Sequence, residues 1–250
     1  MTLLNHSNRW LILAAGAAIQ ILTGIPAAWG VFRCPVMAEY NLSRVDVSAV
    51  FSLTIAWFGV GCVLGGYLQD AKGPRTAGLW GTALLTFGMA AAGFVPRGAA
   101  GLFCLGFSLP VGLGTAFLYP AVMSCAQKWY RDKKGLATGV IGGAVGASGA
   151  FLTLFVRWVG GQAGIRACFW WLAGLSFAVC AAGSLLLQDP PPEAPRPSRQ
   201  GRQYKRPPLD LPPARMLRTR DYWLCTASVA LAAPAVLLFS PVIVSLGQQR

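Results

Sequence analysis

The sequence predicts an all-α polytopic membrane protein, and three observations support this class. The chain has 250 residues, of which 55% are hydrophobic and 12% are charged, whereas soluble domains average about 25% charged residues. The charges are also segregated, because seven long windows contain none. Each window is long enough to cross a bilayer, since a helix needs roughly 20 apolar residues for a hydrocarbon core about 30 Å thick. The windows are Trp10–Phe32, Val47–Gln69, Thr76–Pro96, Gly98–Gln127, Gly135–Val156, Ala167–Gln188 and Tyr222–Gln249.

The distribution of cations predicts the orientation of the chain. With the amino terminus inside, fifteen Lys and Arg residues fall on the inside and five on the outside, and cytoplasmic loops carry the excess of basic residues. We therefore expect a plasma (inner) membrane protein with a cytoplasmic amino terminus and the lipid bilayer as partner. The asymmetry explains most of the net charge of +13 without nucleic acid. The outside cations are Arg33, Arg44, Arg97, Arg157 and Arg166.

The sequence offers no arrangement for catalysis, and we predict that the protein is not an enzyme. Gly146-Ala147-Ser148-Gly149 resembles the serine motif of rhomboid proteases. Such a serine needs a base within hydrogen-bond reach, and the one histidine, His6, lies in the amino-terminal tail. The seven cysteines include no Cys-x-x-Cys pair, which argues against a zinc site or a disulfide framework. We expect no metal and no cofactor.

Helix one is predicted over Trp10–Phe32, with Arg9 at the membrane interface beside the first tryptophan. The charged stretch that follows, Arg33–Asp46, is expected to form the longest outside loop before helix two begins at Val47. Helices two to six follow from the next five windows. Short connections between them place sequence neighbours antiparallel.

Helix one also contains a candidate cavity element. Gln20 and Thr23 share one side of the helix at a spacing of three residues. Gly24 and Pro26 predict a kink, because proline removes a backbone donor. Kinked helices with polar neighbours often line the cavity of a transporter. The alternative is that Gln20 and Thr23 only bond a neighbouring helix.

The connection between helices two and three, Gly65–Arg75, places charges and a turn between two uncharged windows. Gly73 and Pro74 predict the turn itself, since glycine permits a positive φ and proline cannot continue a helix. Lys72 and the final arginine indicate that this loop faces the cytoplasm.

Helices four and five contribute two further features. Tyr119 is a hydroxyl-bearing aromatic residue in the inner half of helix four, and Pro120 is expected to break the helix directly after it. Helix five opens with glycines at small-xxx-small spacing, which lets another helix approach closely. The glycines predicted to pack in this way are Gly139, Gly142, Gly143 and Gly146.

The composition changes after residue 188 and predicts three domains. Residues 1–188 form a six-helix bundle. Residues 189–220 hold nine of the seventeen prolines together with eight Lys and Arg, which predicts an extended cytoplasmic linker that buries no apolar surface. Residues 221–250 contain a seventh transmembrane helix, expected over Tyr222–Leu246, the start of a second bundle that this sequence lacks.

Several motifs together resemble a known family. They are Asn8-Arg9-Trp10, Gly24-x-x-x-x-Trp29, Gly66-x-Leu68-x-Asp70-x-x-Gly73-x-Arg75, Tyr119 and Lys128-Trp129-x-x-x-Lys133-Lys134-Gly135-Leu136-Ala137-Thr138-Gly139. This set resembles the oxalate/formate antiporter family of the major facilitator superfamily. The Lys-Trp to Thr-Gly segment is the most specific motif, whereas the first inner loop is common to the whole superfamily. The similarity covers about residues 8–245.

The resemblance implies a fold of twelve helices in two six-helix bundles, with a small carboxylate held between them and exposed alternately to either side. Tyr119 matches an aromatic position that faces the cavity in this family. The other side chains with which this chain could line a cavity are Gln20, Thr23, Trp29 and Trp57. Packing between helices is the alternative role for each of them.

The resemblance and the loop charges together suggest a gate. In two-bundle transporters the first inner loop can latch the inner face closed, with its acidic residue paired to a cation or a helix amino terminus. The candidate gate residues are Gly66, Asp70, Lys72, Gly73 and Arg75. The alternative is a solvated loop that only sets the topology.

A carboxylate at mid-membrane needs a cation or converging donors, and none of the seven windows contains one. In the family the anion-binding basic residues lie in the second bundle. We therefore expect that this chain cannot supply the counter-ion and that the isolated chain does not exchange oxalate or formate.

The function predicted from the sequence is secondary active transport of small carboxylates such as oxalate or formate, by a truncated form whose partner is a missing carboxy-terminal half. One alternative is a half-bundle that does not transport. Another is a major facilitator for a different substrate class. Five further helices encoded downstream of Arg250 would favour transport over the half-bundle.

Overall fold

The computed structural model describes residues 2–190 and 213–232. All regular structure in these residues is helical, which confirms the predicted all-α class. The α-helices are α1 (Thr2–Thr23), α2 (Ile25–Tyr40), α3 (Arg44–Lys72), α4 (Pro74–Phe94), α5 (Ala100–Phe103), α6 (Leu109–Trp129), α7 (Lys134–Leu186) and α8 (Pro213–Met216). A π-helical segment (Cys104–Ser108) joins α5 to α6, and a 3-10 turn (Arg131–Lys133) precedes α7. Residues 220–232 are also helical.

Five helical stretches are long and apolar enough to cross a membrane. They are Arg9–Tyr40, Arg44–Lys72, Pro74–Phe94, Ala100–Trp129 and Arg131–Leu186. The last stretch folds back at Gly164, whose φ of 81° and ψ of 168° are not helical. It therefore supplies two crossings, here called the N arm (residues 134–163) and the C arm (residues 165–186). The described residues hold six crossings, one for each of the first six uncharged windows.

The described residues up to 190 form one compact unit, and residues 213–232 belong to a second. Most of the predicted linker, residues 191–212, lies outside the described residues, as does the seventh helix beyond residue 232. The proposed division at residues 188 and 220 therefore stays a prediction.

The first crossing is longer than predicted. Helix α2 continues to Tyr40, eight residues beyond the predicted end at Phe32. The expected outside loop, Arg33–Asp46, is therefore mostly helical. Only three residues, numbered 41–43, separate α2 from α3. An uncharged window marks the apolar part of a helix, whereas the helix itself runs on through charged residues that reach the interface.

Local capping sets this turn. Asn41 adopts the left-handed conformation (φ 52°, ψ 47°) and its backbone N–H donates to the carbonyl of Met37, which ends α2. Ser43 then caps α3, because its Oγ accepts from the N–H of Asp46 at 3.1 Å and its own N–H donates to the Asp46 carboxylate at 2.9 Å. This reciprocal pair satisfies two donors that would otherwise be unpaired at the helix start.

Close backbone approach holds α6 between α3 and α4. A Cβ on Gly114 of α6 would lie 2.5 Å from the backbone nitrogen of Leu85 and 2.8 Å from the carbonyl oxygen of Gly81 on α4. A Cβ on Gly61 of α3 would lie 2.6 Å from the Cβ of Ala116 on α6. Small residues at these crossings allow dispersion contacts between backbones, which is the main attraction between helices in lipid.

Aromatic side chains fill the outer half of the bundle. Phe107 lies in the π-helical segment, with its ring centroid 5.4 Å from Phe103 and 5.7 Å from Phe169 of the C arm. Phe32 of α2 stacks on Phe169 at 5.9 Å. These fully buried rings bring α2, the π-helical segment and the C arm together.

Candidate functional site

The predicted kink in the first crossing is present, but its polar residues are buried. Helix α1 ends at Thr23 and α2 begins after Gly24. Gln20 is 1% exposed and Thr23 is 6% exposed. The Thr23 hydroxyl donates to Oε1 of Gln20 at 2.8 Å, and Ser148 of the N arm donates to the carbonyl of Gly24 at 3.3 Å. Gln20 and Thr23 are therefore enclosed in this bundle, where α1 packs against α6 and α7, and their role in a cavity stays a prediction.

Trp29 is also part of the core. Its indole is 7% exposed and lies between Phe32 and Phe107, at centroid distances of 6.3 and 5.4 Å. Gln20, Thr23 and Trp29 are thus buried within the bundle, and the hydrogen bond between Thr23 and Gln20 lies within α1 rather than between helices.

Tyr119 and Trp57 lie nearer the surface. Tyr119 is 37% exposed, with the Phe58 ring 6.2 Å away in an edge-on arrangement. Trp57 is half-buried on α3. Helix α6 continues through Pro120 to Trp129, so the expected break after Tyr119 is absent. The irregular segment of this crossing lies earlier, at Cys104–Ser108. There the Ser108 hydroxyl donates to the carbonyl of Val50 at 2.9 Å.

Large apolar side chains are unevenly distributed over the exposed surface. They are exposed on α3, α4 and both arms of α7, for example Val63, Phe87 and Leu154. Among the described side chains of residues 12–43, no large apolar one is exposed, and on α6 only the ring of Tyr119 is. A lipid-facing helix surface is lined by apolar side chains. The exposed surfaces of α2 and α6 are therefore poor lipid contacts and good candidates for a substrate path.

The candidate gate loop has the predicted turn. Helix α3 ends at Lys72, and Gly73 has φ 85° and ψ 165° before Pro74 opens α4. Asp70, Lys72 and Arg75 are exposed and make no ion pair with another described residue. A Cβ on Gly66 would meet no atom within 4 Å. The turn is present, and the latch role of these residues stays a prediction.

The glycines predicted for close helix packing are open. A Cβ on Gly139, Gly142, Gly143 or Gly146 would meet no atom of the described residues within 4 Å. The N arm packs against α1 and α2 with its opposite side, which carries the buried residues Ile141, Ser148 and Leu152. The expected contact is therefore not made among the described residues of this chain.

The inner ends of α1, α6 and α7 meet at the segment that most specifically supports the family resemblance. Nε of Arg9 donates to the carbonyl of Trp129 at 2.8 Å, and its guanidinium lies 5.1 Å from the ring centroid of Tyr130. The indole of Trp129 donates to the carbonyl of Gln188 at 2.7 Å. Burial raises the pKa of the Tyr130 phenol, while the Arg9 charge opposes that shift. The Lys-Trp motif thus ties three crossings together.

A second cluster, which the sequence reasoning missed, joins the outer ends. Glu39 accepts from Nη2 of Arg97 at 3.2 Å, and its carboxylate lies 3.0 Å from Nε of Arg166 in an ion pair that lacks hydrogen-bond alignment. Arg166 also donates to the carbonyl of Val95 at 3.1 Å. The sequence contained a signal for this cluster. Glu39 is one of two acidic residues in the outside segments, which also contain five arginines, so an ion pair at Glu39 could have been expected.

Neither a metal site nor a polar cavity emerges from the described residues. Among residues 2–190 and 213–232, no three or more His, Cys, Asp or Glu side chains group in a way that could hold a metal ion. A cavity of about 610 Å³ opens beside α7. Its lining is Phe155, Ala167, Trp170, Trp171, Gly174 and Leu175. This lining is mostly apolar and contains no charged side chain that could bind an anion.

Sequence comparison relates the chain to carboxylate carriers. It is 30% identical over 133 residues to the oxalate:formate antiporter of Oxalobacter formigenes, covering 53% of this chain and 31% of that protein. It is 28% identical over 179 residues to monocarboxylate transporter 13 of Rattus norvegicus, covering 71% and 41%. It is 32% identical over 113 residues to apicoplast pyruvate carrier 1 of Toxoplasma gondii, covering 45% and 20%.

The chain spans less than half the length of each of these relatives. A family match nevertheless covers nearly all of it, over residues 3–249. This match agrees with the resemblance drawn from the motifs and with the six apolar crossings of the bundle. The chain is a membrane protein and belongs to the Major Facilitator Superfamily.

Proposed function

We propose that this chain forms one six-helix bundle of a secondary active transporter for small carboxylates, working by alternating access with a second bundle. The observation that carries the proposal is its similarity to three proteins named for carboxylates: an oxalate:formate antiporter, a monocarboxylate transporter and a pyruvate carrier. Exchange of oxalate for formate is the more specific form of this proposal.

The surface of the bundle supports a path between two halves. Helices α2 and α6 expose no large aliphatic side chain among their described residues, so their exposed surfaces suit a partner bundle and a polar substrate better than lipid. Tyr119 can offer a hydroxyl to a carboxylate from this surface, and Trp57 lies one helix away. In this proposal the turn at Gly73 allows the inner ends of α3 and α4 to move as gate elements.

The orientation belongs to the same proposal. Loops rich in Lys and Arg lie at the end of the bundle that contains Arg9, Lys72 and Lys128, and such loops face the cytoplasm. We propose a plasma (inner) membrane location with a cytoplasmic amino terminus. Transport fits the chain better than catalysis, because the Ser148 hydroxyl is engaged by backbone carbonyls of Val145 and Gly24.

Uptake of labelled oxalate, formate and pyruvate tests the proposal in cells that express the chain with and without the coding region that follows it. We expect uptake only when a second bundle is present. Tyr119→Phe should lower uptake about tenfold if its hydroxyl binds substrate, the equivalent of one hydrogen bond. Tyr67→Phe is the matched control, because Tyr67 is 77% exposed on α3 beside other exposed apolar residues.

Two outcomes would contradict the proposal. Uptake by the isolated chain in proteoliposomes would show that no second bundle is required. Absence of uptake for all three carboxylates in the longer form would favour a non-transporting bundle or a different substrate class. Equal losses for Tyr67→Phe and Tyr119→Phe would remove the assigned role of Tyr119.

A further inference from the structure

One cation lies within a crossing where the sequence indicated none. Arg33 belongs to α2 and is seven residues from its outer end at Tyr40, a distance of about 10 Å at 1.5 Å per residue. It is exposed. A charged residue that directly follows the apolar part of a membrane-crossing helix is costly if it faces lipid, and such residues usually face a water-filled cavity or a partner. Arg33 is therefore a cation that this chain could bring to the path proposed above, outside the seven uncharged windows.

The surroundings of Arg33 favour an aqueous path over lipid. It lies on the part of the chain, residues 12–43, that exposes no large apolar side chain among those described. Gly30 precedes it by one turn, and a Cβ there would meet no atom within 4 Å. Side chains on a helix lean toward its amino terminus. Because α2 runs from inside to outside, the stem of Arg33 leans over Gly30 toward the membrane centre.

The outer ends of the crossings contain more arginines than carboxylates, and no described carboxylate there pairs with Arg33. Five Arg residues and two carboxylates lie in the outer segments, so the net charge is positive there. Glu39 is engaged by Arg97 and Arg166, and Asp46 is engaged by the Ser43 cap. Arg33 makes no ion pair with a described residue. An anion that enters from outside therefore meets an uncompensated guanidinium.

We propose that Arg33 binds the carboxylate group of a small anionic substrate at the outer mouth of the path between the two bundles. This inference rests on the proposed transport function and names a specificity-determining residue for it. A guanidinium suits the role because its parallel N–H groups bind both oxygens of a carboxylate and its charge does not titrate. Lysine in the same place retains the charge but loses the bidentate geometry.

Arg157 provides a matched control within the same molecule. The Ser148 hydroxyl contacts the Gly24 carbonyl, and from that contact α2 and the N arm both run outward. Arg33 and Arg157 each follow nine residues later, so they lie at similar depth. Arg157 is flanked by Leu154 (69% exposed) and Trp158 (68% exposed), so its stem lies along lipid-facing surface and its charge extends to the headgroups.

The reactivity of Cys34, which is exposed beside Arg33, tests the proposal without requiring transport. The full chain carries Cys62→Ser, Cys104→Ser and Cys225→Ser, so that Cys34 is the exposed thiol. The rates of an anionic and a cationic methanethiosulfonate reagent are compared in membrane vesicles. Arg33→Gln should lower the anionic-to-cationic ratio about fivefold, because one nearby charge is lost. Arg33→Lys should preserve the ratio, and Arg157→Gln should leave it unchanged.

A second experiment tests whether a carboxylate protects Cys34 from alkylation. Oxalate, formate or pyruvate at millimolar concentration should slow alkylation of Cys34 by neutral N-ethylmaleimide, with chloride at equal ionic strength as control. Protection should be lost in Arg33→Gln, weakened in Arg33→Lys and retained in Arg157→Gln. In the transporting form, Arg33→Gln should raise KM for the carboxylate at least tenfold more than it lowers kcat.

The outcomes separate the two proposals. Protection that depends on Arg33 in the form that contains a second bundle, together with absence of uptake by that form, would support the site and contradict the proposed transport. Uptake with normal KM in Arg33→Gln, or an unchanged reagent ratio, would overturn the site and leave transport standing. Equal effects of Arg33→Gln and Arg157→Gln would also overturn it, because general surface charge would then account for both. Size-exclusion profiles of Arg33→Lys, Arg33→Gln and Arg157→Gln show whether each variant retains the folded bundle.

Discussion

Glycines occur both at the contact between α4 and α6 and on the N arm of α7. They are closely packed at the first place and open at the second. At Gly114 an added Cβ would lie within 2.8 Å of backbone atoms of Leu85 and Gly81. At Gly143 on the N arm an added Cβ would meet no atom of the described residues within 4 Å. Glycine thus makes close helix approach possible in both regions, but a partner among the described residues is present in only one.

This difference shows that spacing alone does not locate a helix contact. The glycines of the N arm have the regular small-xxx-small spacing, whereas those of α4 and α6 were not singled out by that pattern. Alanine substitutions at matched positions measure how much each glycine contributes. We expect the largest loss in the free energy of unfolding where alanine overpacks a helix contact. The loss should be smaller where alanine strains the backbone, and smallest where the position is open.

Gly114→Ala should have the largest effect. The neighbouring atoms belong to the α4 backbone, which cannot move aside without separating two helices. We expect the free energy of unfolding to fall by about 3 kcal/mol, near the upper end of the range for overpacking. Titration with SDS, followed by tryptophan fluorescence, measures the loss. A change below about 0.5 kcal/mol, the size expected at a surface position, would contradict the close crossing of α4 and α6.

Gly73→Ala should have an intermediate effect of a different origin. No atom lies within 4 Å of an added Cβ, but φ is 85° at this residue. We expect a loss of about 2 kcal/mol, since residues held in a glycine-only region cost of order 1–3 kcal/mol. The same SDS titration measures it. Gly66→Ala is the control, because it has equal space and no positive φ; equal losses for both would exclude backbone strain as the cause.

Gly143→Ala should have the smallest effect on the bundle. With nothing nearby and an ordinary helical backbone, the change in unfolding free energy should stay within about 0.5 kcal/mol. Gly143→Leu extends the test, because it should leave the isolated chain equally stable yet reduce uptake by a form that contains a second bundle. Unchanged uptake would contradict a helix contact at the N arm, whereas a large loss of stability would contradict its openness.

The six crossings of residues 2–190 could be predicted from the sequence, while the outer end of the first crossing could not. Burying charge in hydrocarbon is so costly that each uncharged window marked a crossing. The end of α2 instead depends on the left-handed Asn41 and the Ser43 cap. The uncharged window therefore predicted the end of this helix eight residues too early. For the same reason Arg33 was assigned to a loop and was not among the candidate cavity residues.

The candidate site was predictable only in part. Tyr119 and Trp57 lie toward the surface, and the turn at Gly73 is present. Gln20 and Thr23 share a helix side as predicted, but that side packs inside the bundle. A helical pattern shows which residues share a side, and it contains no information about which neighbouring helix covers that side.

The sequence by itself determined the all-α class, the six crossings and the turn between α3 and α4. These features follow from transfer free energies and backbone preferences, which act within a single segment. Only the tertiary structure decided that Gln20 and Trp29 are buried, that the N-arm glycines are open and that Glu39 joins two arginines. Those outcomes depend on contacts between residues far apart in sequence, where the geometry of packing selects one partner among many of similar chemistry.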